Sequence, residues 1–166
     1  MNRLDKIYKY LQEANRAVSG SELSERFNIS RQIIVQEIAL LRAKGYDIIS
    51  TNRGYIISEN PVSVRLCLAH ENEDMIKELY AIVDNGGTIK NVIIDHPVYE
   101  EIVAPLNLSN RKEVDEFVAK MNRHQGLPLK HLGDGFTHYH EITAPSQKVI
   151  DNIVNDLSEL GFLVEK

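Results

Sequence analysis

Residues 30–57 read SRQIIVQEIALLRAKGYDIISTNRGYII, and this stretch decides the fold of the first third of the chain. Ser30 is a typical helix-capping residue and Gly45 a typical helix stop. Between them, apolar residues recur at the spacing of one helix face, at Ile33, Ile34, Ile38 and Leu41. Residues 47–50 and 54–57 are β-prone and are joined by three polar residues. The stretch therefore predicts a helix from Ser30 to about Lys44, followed by a β-hairpin.

The residues before this stretch predict two further helices. Between residues 3 and 13, apolar side chains form the stripe of an amphipathic helix, at Leu4, Ile7, Tyr8 and Leu11. Residues 21–27 predict a short second helix capped near Gly20 or Ser21, and Asn28-Ile29 predicts a tight turn before Ser30. A helix, a helix-turn-helix and a hairpin, in this order, are a winged helix-turn-helix domain.

The third helix and the hairpin tip carry side chains suited to double-stranded DNA. In this kind of domain the third helix enters the major groove with the exposed residues of its N-terminal part. Here these are Ser30, Arg31, Gln32 and Gln36. Arginine pairs with guanine and glutamine with adenine, and Arg53 at the tip of the wing suits a phosphate or a minor groove. The alternative is a winged helix that binds protein, with an ordinary Arg-Gln surface.

Charge divides the chain into two parts. The net charge is −5, but residues 1–60 carry nine Lys/Arg against seven Asp/Glu, whereas residues 61–166 carry ten against seventeen and all six histidines. Glu59-Asn60-Pro61 reads as the boundary, which predicts a DNA-binding domain over 1–60 and a second domain with a different role over 61–166; the family resemblance given below implies that the second is a sensor domain. The single cysteine, Cys67, excludes an internal disulfide, and no apolar run reaches the roughly 18 residues that span a bilayer. We expect a cytoplasmic protein with no membrane partner.

The second part alternates between strand and helix patterns. Strands are predicted at 62–69, 88–94, 98–106, 136–143 and 162–165, and helices at 71–83, 109–121 and 145–160. Amphipathic helices between strands indicate an α/β sandwich, with a mainly antiparallel sheet and helices on one face. The expected fold class is therefore α+β, a winged helix-turn-helix followed by an α/β sandwich.

Three histidines form a candidate metal site. His138 and His140 project from one face of a predicted strand because side chains alternate with period two, and His70 opens a predicted helix. Carboxylates are plentiful nearby, and spacing does not choose among Glu71, Glu73, Asp74, Glu78 and Glu141. Three imidazoles and a carboxylate suit Zn, Ni, Fe or Mn. The alternative is surface or hydrogen-bonded histidines, which we expect of His124 and His131.

The segment Asp95-His96-Pro97-Val98-Tyr99 lies between two predicted strands. It places a titratable ring, a rigid turn and a phenol side by side. His96 and Tyr99 therefore either line a ligand pocket or belong to a plain proline turn with Tyr99 packed as core. The residues alone favour neither interpretation.

Taken together, these stretches resemble the niacin-responsive repressor family, which joins a biotin-repressor-type helix-turn-helix to a "3H" domain named for its histidines. The similar stretches are residues 30–57, the His70 segment with Glu78 eight residues on, NGGTIKNVIIDHPVYEEI and GDGFTHYHEI. The resemblance implies a metal site at His70, Glu78, His138 and His140, and it selects Glu78 over its neighbours. It also implies His96 and Tyr99 as effector contacts. Glu100 departs from the family pattern, in which we expect glycine.

The function expected from this resemblance is a homodimeric repressor of NAD-biosynthesis or niacin-uptake genes. It would bind an inverted repeat, with nicotinic acid as corepressor and one divalent transition metal per chain. One alternative is a repressor whose effector is the metal ion itself. Another is a metallohydrolase with Glu78 or Glu141 as base. No nucleophile or base motif accompanies the histidines, so we expect no catalytic residues and no enzyme.

Overall fold

A computed structural model describes residues 1–165, and its first part contains three helices and a hairpin. They are α1 (Arg3–Ala14), α2 (Gly20–Phe27), α3 (Arg31–Ala43), β1 (Ile48–Thr51) and β2 (Gly54–Ile57). The Ser30 side chain caps α3 by accepting from Ile33 N at 3.2 Å. Ser19 caps α2, so this helix begins one residue earlier than the sequence predicts. The winged helix-turn-helix order is confirmed.

The wing hairpin packs on both of its faces. β1 and β2 pair antiparallel, with Ile48 opposite Ile57 and Ile49 opposite Ile56. Ile48 and Ile57 belong to the core of the first three helices. Ile56 is 2% exposed and, with Ile49, packs in the core of the second part of the chain. Because adjacent strand residues point to opposite faces, the hairpin is a layer shared by two cores.

The second part is a four-stranded sheet covered by helices. Its elements are β3 (Val62–Ala69), α4 (Met75–Asp84), β4 (Thr88–His96), β5 (Glu100–Leu108), α5 (Arg111–Arg123), β6 (Thr137–Ala144) and α6 (Gln147–Glu159). The sheet is antiparallel throughout, with the order β3-β6-β4-β5. Leu68, Ile142 and Val149 are fully buried between sheet and helices. The predicted α+β class is confirmed.

Three local predictions differ from the structure. Residues 162–165 form only a single bridge, between Leu163 and Leu68, because this short segment makes few hydrogen bonds to β3. The helix predicted at 71–83 begins with a 3₁₀ turn at Asn72–Asp74. β5 starts at Glu100 because the chain turns there with a φ of 61°, a left-handed conformation that favours glycine. Within residues 1–165, no helix has the length and apolar character to cross a membrane.

Candidate metal centre and DNA-binding surface

The predicted metal ligands come together in the interior of the second domain. His138 and His140 lie on β6, on the face that also carries Ile142, and are opposite Leu68 and Leu66 of β3. His70 follows the end of β3 and Glu78 lies in the first turn of α4. The four residues are 8% exposed or less. The strand alternation that places apolar residues in the core therefore buries both β6 histidines against α4.

Glu78 is the centre of this cluster. His138 Nε2 is 3.1 Å from Glu78 Oε2, and His70 Nε2 contacts the same oxygen. His140 Nε2 is 2.6 Å from Glu78 Oε1. Ligand atoms of His70, Glu78 and His138 all lie within 4.8 Å of one another. The structure thus brings the ligand atoms of His70, Glu78 and His138 together, while His140 lies outside this group and contacts the other carboxylate oxygen of Glu78.

The other nitrogen of each ring contacts a backbone carbonyl. The partners are Glu71 O for His70 Nδ1 at 2.6 Å, Phe136 O for His138 Nδ1 at 3.1 Å and Asn91 O for His140 Nδ1 at 2.7 Å. A carbonyl only accepts, so each Nδ1 carries a proton. In a neutral ring, the unprotonated Nε2 then directs its lone pair toward the Glu78 carboxylate. A hydrogen bond from the other ring nitrogen to a backbone carbonyl is typical of histidines that bind metals.

The Nε2 lone pairs of the neutral rings and the lone pairs of the Glu78 carboxylate face each other, so a positively charged species must lie between them. Without a metal, the imidazoles must take up protons at Nε2 to donate to the carboxylate. Glu78 Oε1 has no hydrogen-bond partner of acceptable geometry within residues 1–165, although His140 Nε2 is close. One divalent transition ion would satisfy all four donors, because nitrogen and carboxylate ligands suit such ions. The residue set is therefore compatible with a metal.

Charge coupling between Glu78 and His140 changes the pKa of both groups. Burial alone would raise the pKa of the Glu78 carboxyl, but the attraction of His140 and the close contacts with the other two rings hold it well below its usual range. Burial alone would lower the pKa of His140, but the Glu78 charge outweighs burial and raises it. In the metal-free protein the cluster thus favours a protonated ring beside a carboxylate, the arrangement that a bound cation replaces.

An apolar cavity of about 250 Å³ lies beside the cluster. Its walls include Met75, Phe117 and Met121, together with His70, Glu78 and His138. Lys130 also lines it, is 3% exposed, and donates from Nζ to the His70 carbonyl. Burial lowers the pKa of Lys130, against the attraction of Glu78 and other carboxylates. A small aromatic anion fits the chemistry of this cavity: apolar walls, one ammonium group and the histidine cluster.

Sequence reasoning missed Lys130. It lies between Leu129 and His131 in a 3₁₀ turn, Leu129–Leu132, that packs against β4. The only signal in the sequence is a lysine within the leucine-rich segment LPLKHL. A lysine in such a place is more often exposed, so no local pattern selects Lys130.

The structure does not bring His96 and Tyr99 to this cavity. His96 Nδ1 accepts from the backbone N–H groups of Val98 and Tyr99, both at 3.1 Å, and the two rings are 4.9 Å apart. Tyr99 is 72% exposed, and neither residue lines the cavity. The interpretation of Tyr99 as packed core is therefore wrong, while a role in effector binding stays a prediction.

The remaining histidines lie outside the cluster. His131 bonds to the Asn72 side chain, and His124 ends α5.

The residues predicted to contact DNA lie on one side of the first domain. Ser30, Arg31, Gln32 and Gln36 are exposed on or next to α3, and the Arg31 guanidinium contacts the Ser21 hydroxyl. These residues stay a prediction. Arg53 is half-exposed and has unforeseen partners: its guanidinium donates to Asn85 Oδ1 at 3.1 Å and lies 3.6 Å from Asp156 Oδ2.

Comparison with known proteins identifies both parts of the chain. The 3H domain family matches residues 63–166, and a helix-turn-helix domain family matches residues 3–56. The probable transcription repressor NiaR of Thermotoga maritima is 40% identical over 166 residues, which cover 99% of this chain and 94% of that protein. The transcription repressor NadR of Bacillus subtilis is 39% identical over 171 residues, with the same coverage.

Proposed function

This chain belongs to the family of transcription repressors that join a helix-turn-helix domain to a 3H domain, and we propose that it represses NAD-biosynthesis or niacin-uptake genes with nicotinic acid as corepressor. It is a DNA-binding regulator and not an enzyme, since its relatives are named as repressors. The observation that carries the proposal is the convergence of His70, His138 and Glu78, with His140 also in contact with Glu78, beside an apolar cavity with a buried ammonium.

The proposed cofactor is one divalent transition metal per chain, Zn, Ni, Fe or Mn. His70, Glu78, His138 and His140 would hold it, supported by the backbone carbonyls that orient their rings. The bound ion would supply a local positive charge in a domain whose net charge is negative. This charge would attract an anionic effector that the domain as a whole repels.

The proposed effector, nicotinic acid, would fill the cavity beside the cluster. Its aromatic ring suits the apolar walls formed by Phe117 and Met121. Lys130 lines the same cavity as the cluster, so its ammonium would pair with the effector carboxylate, and the metal with either the carboxylate or the pyridine nitrogen. Nicotinamide has no negative charge and should bind much more weakly.

DNA recognition is assigned to residues 1–60 and sensing to residues 61–166. This boundary is supported by the limits of the two family matches. Arg31, Gln32 and Gln36 would read bases in the major groove, with Ser30 at the start of the helix. A homodimer on an inverted repeat would double these contacts, and the protein would act in the cytoplasm, where its DNA is.

The test is operator affinity with and without nicotinate, on metal-loaded and on chelator-treated protein. The duplex is selected by the protein itself from a random-sequence library. On metal-loaded protein, nicotinate should tighten binding about 5–150-fold, and the duplex should tighten nicotinate binding by the same factor. Equal affinities with and without nicotinate would reject it as the signal. If Zn²⁺ alone tightened binding, the effector would be the metal.

A pair of lysine variants tests the proposed cavity. Lys130→Met removes the buried ammonium but keeps a long side chain, whereas Lys120→Met removes an exposed lysine of α5. The first should weaken nicotinate binding at least tenfold, because it removes a charge-assisted hydrogen bond in an apolar site, and the second should not change it. The measurement is isothermal titration calorimetry, and equal affinities of the two variants would exclude Lys130 from the site.

A further inference from the structure

The guanidinium at the tip of the wing is bound to the sensor domain. Arg53 donates to Asn85 Oδ1 at 3.1 Å and lies 3.6 Å from Asp156 Oδ2. Asn85 follows the end of α4 and Asp156 lies on α6, so the wing tip rests on two sensor helices. A cation at the C-terminal end of a helix is also stabilised by the helix dipole. Arg53 is the basic residue best placed to contact DNA from the wing, and it already has two partners in the sensor domain.

The rest of the hairpin fixes this contact in place. Ile56 packs in the sensor core, and a Cβ atom built on Gly86 would lie 3.4 Å from Ile56 Cγ2 and 3.8 Å from Thr51 Cγ2. The wing therefore lies beside the turn after α4, close enough that a side-chain carbon at Gly86 would contact it. Because the hairpin is also part of the first core, its apolar residues hold the wing at the sensor while the Arg53 side chain stays half-exposed.

The same helix connects this contact to the candidate metal centre. Glu78 lies in the first turn of α4, and Asn85 is seven residues further on. Asn85 is 9% exposed, and its amide donates to Ala81 O and to Asp156 Oδ2, both at 2.7 Å. This orients its oxygen toward Arg53. A displacement of α4 at Glu78 would therefore move the hydrogen-bond acceptor of Arg53.

We propose that the contact of Arg53 with Asn85 and Asp156 is a releasable restraint on the wing, in which the sensor carboxylate and a DNA phosphate compete for one guanidinium. A carboxylate and a phosphate are both anionic acceptors for arginine, and the two terminal nitrogens of Arg53 that would bind a phosphate already face Asn85 and Asp156. Half-exposed ion pairs contribute little stability, so a phosphate can replace this one. The inference rests on the proposed function, because it requires that the wing meets DNA.

Two substitutions at the same ion pair should then have opposite effects on DNA binding. Asp156→Asn removes the competing charge but keeps an acceptor for Asn85, and it should tighten binding about two- to fivefold, the range of a partly exposed ion pair. Arg53→Met removes the phosphate contact and should weaken binding. The double variant should bind like Arg53→Met, because without the guanidinium there is nothing to release. Asp151→Asn, also on α6 but bonded to Gln147, controls for the lost negative charge.

The measurement is fluorescence anisotropy of the full-length variants on the selected duplex at one ionic strength, after thermal unfolding has confirmed that each variant folds. Tightening in Asp156→Asn beyond that in Asp151→Asn supports the restraint. Weakening in Asp156→Asn, or an affinity equal to that of Asp151→Asn, overturns it, since the contact would then only position the wing. A wild-type protein that does not bind any duplex would instead refute the proposed function, and the restraint with it.

Discussion

Replacing Gly54 by alanine tests how the wing is joined to the helix-turn-helix. Gly54 begins β2 with a φ of +136°, a conformation that residues with a side chain rarely adopt. A Cβ atom at this position would lie 2.1 Å from Val18 O and 2.7 Å from Ser19 N, both of which are backbone atoms. Next to it, Val18 and Tyr55 exchange two backbone hydrogen bonds of 2.9 Å. The methyl group cannot fit unless this bridge opens.

The cost of Gly54→Ala follows from these contacts. A strained backbone conformation costs about 1–3 kcal/mol, and each of the two hydrogen bonds contributes about 0.5–1.5 kcal/mol. We therefore expect the free energy of unfolding to fall by about 2–6 kcal/mol. For a chain of this size the melting temperature should fall by about 4–24 °C.

The assay is urea denaturation followed by far-UV circular dichroism, with Gly20→Ala as the matched control. A Cβ atom on Gly20 would have nothing within 4 Å, and Gly20 is the first residue of α2, so alanine there should change stability by less than about 1 kcal/mol. A loss below about 1 kcal/mol in Gly54→Ala, or equal losses in the two variants, would refute the reasoning about the wing.

Four further predictions concern the metal, the pH, the DNA and the β4–β5 turn. His138→Ala should lower metal affinity at least tenfold by competition with a chromophoric chelator, whereas His124→Ala should not. Zn²⁺ affinity should fall as the pH decreases from about 8 to 6. The pKa of His140 is raised, so protons compete with Zn²⁺ for its imidazole at a higher pH than they would for an ordinary histidine; an affinity independent of pH would contradict this. Arg31→Ala should cost about 1–3 kcal/mol of binding free energy and relax the base preference found by selection from random duplexes. Glu100→Gly should raise the melting temperature through a gain of up to about 1 kcal/mol, because the residue has a φ of 61°.

The sequence predicted those features that depend on local periodicity. The apolar spacing of α3 and the two β-prone segments after it identified the winged helix-turn-helix. Strand alternation predicted that His138 and His140 share one face of a strand, and in the structure this face is buried in the core. These predictions succeed because the period of a helix or a strand fixes which side chains share a face.

Features that depend on packing between distant segments could not be predicted in the same way. Several carboxylates have a spacing from the histidines that suits a metal ligand, and only the family resemblance selects Glu78 among them. Lys130 is buried because its 3₁₀ turn packs against β4, which no local pattern reveals. The wing has a second apolar face, formed by Ile49 and Ile56. In the sequence these two residues look like any cross-strand pair of a hairpin. The partner of this face is a core that lies beyond the domain boundary.

Burial of the candidate metal centre restricts how an effector can influence DNA binding. Glu78 is 1% exposed and the cluster belongs to the sensor domain, so neither a metal nor an effector there can contact DNA directly. Any signal must therefore pass through an element that touches both the centre and the first domain. α4 is such an element, because seven residues of helix, or about 10 Å, separate Glu78 from the acceptor of Arg53. Metal binding at this candidate site would tie α4 to β6 and to the end of β3, and it would thereby make the position of the wing sensitive to occupancy of the site.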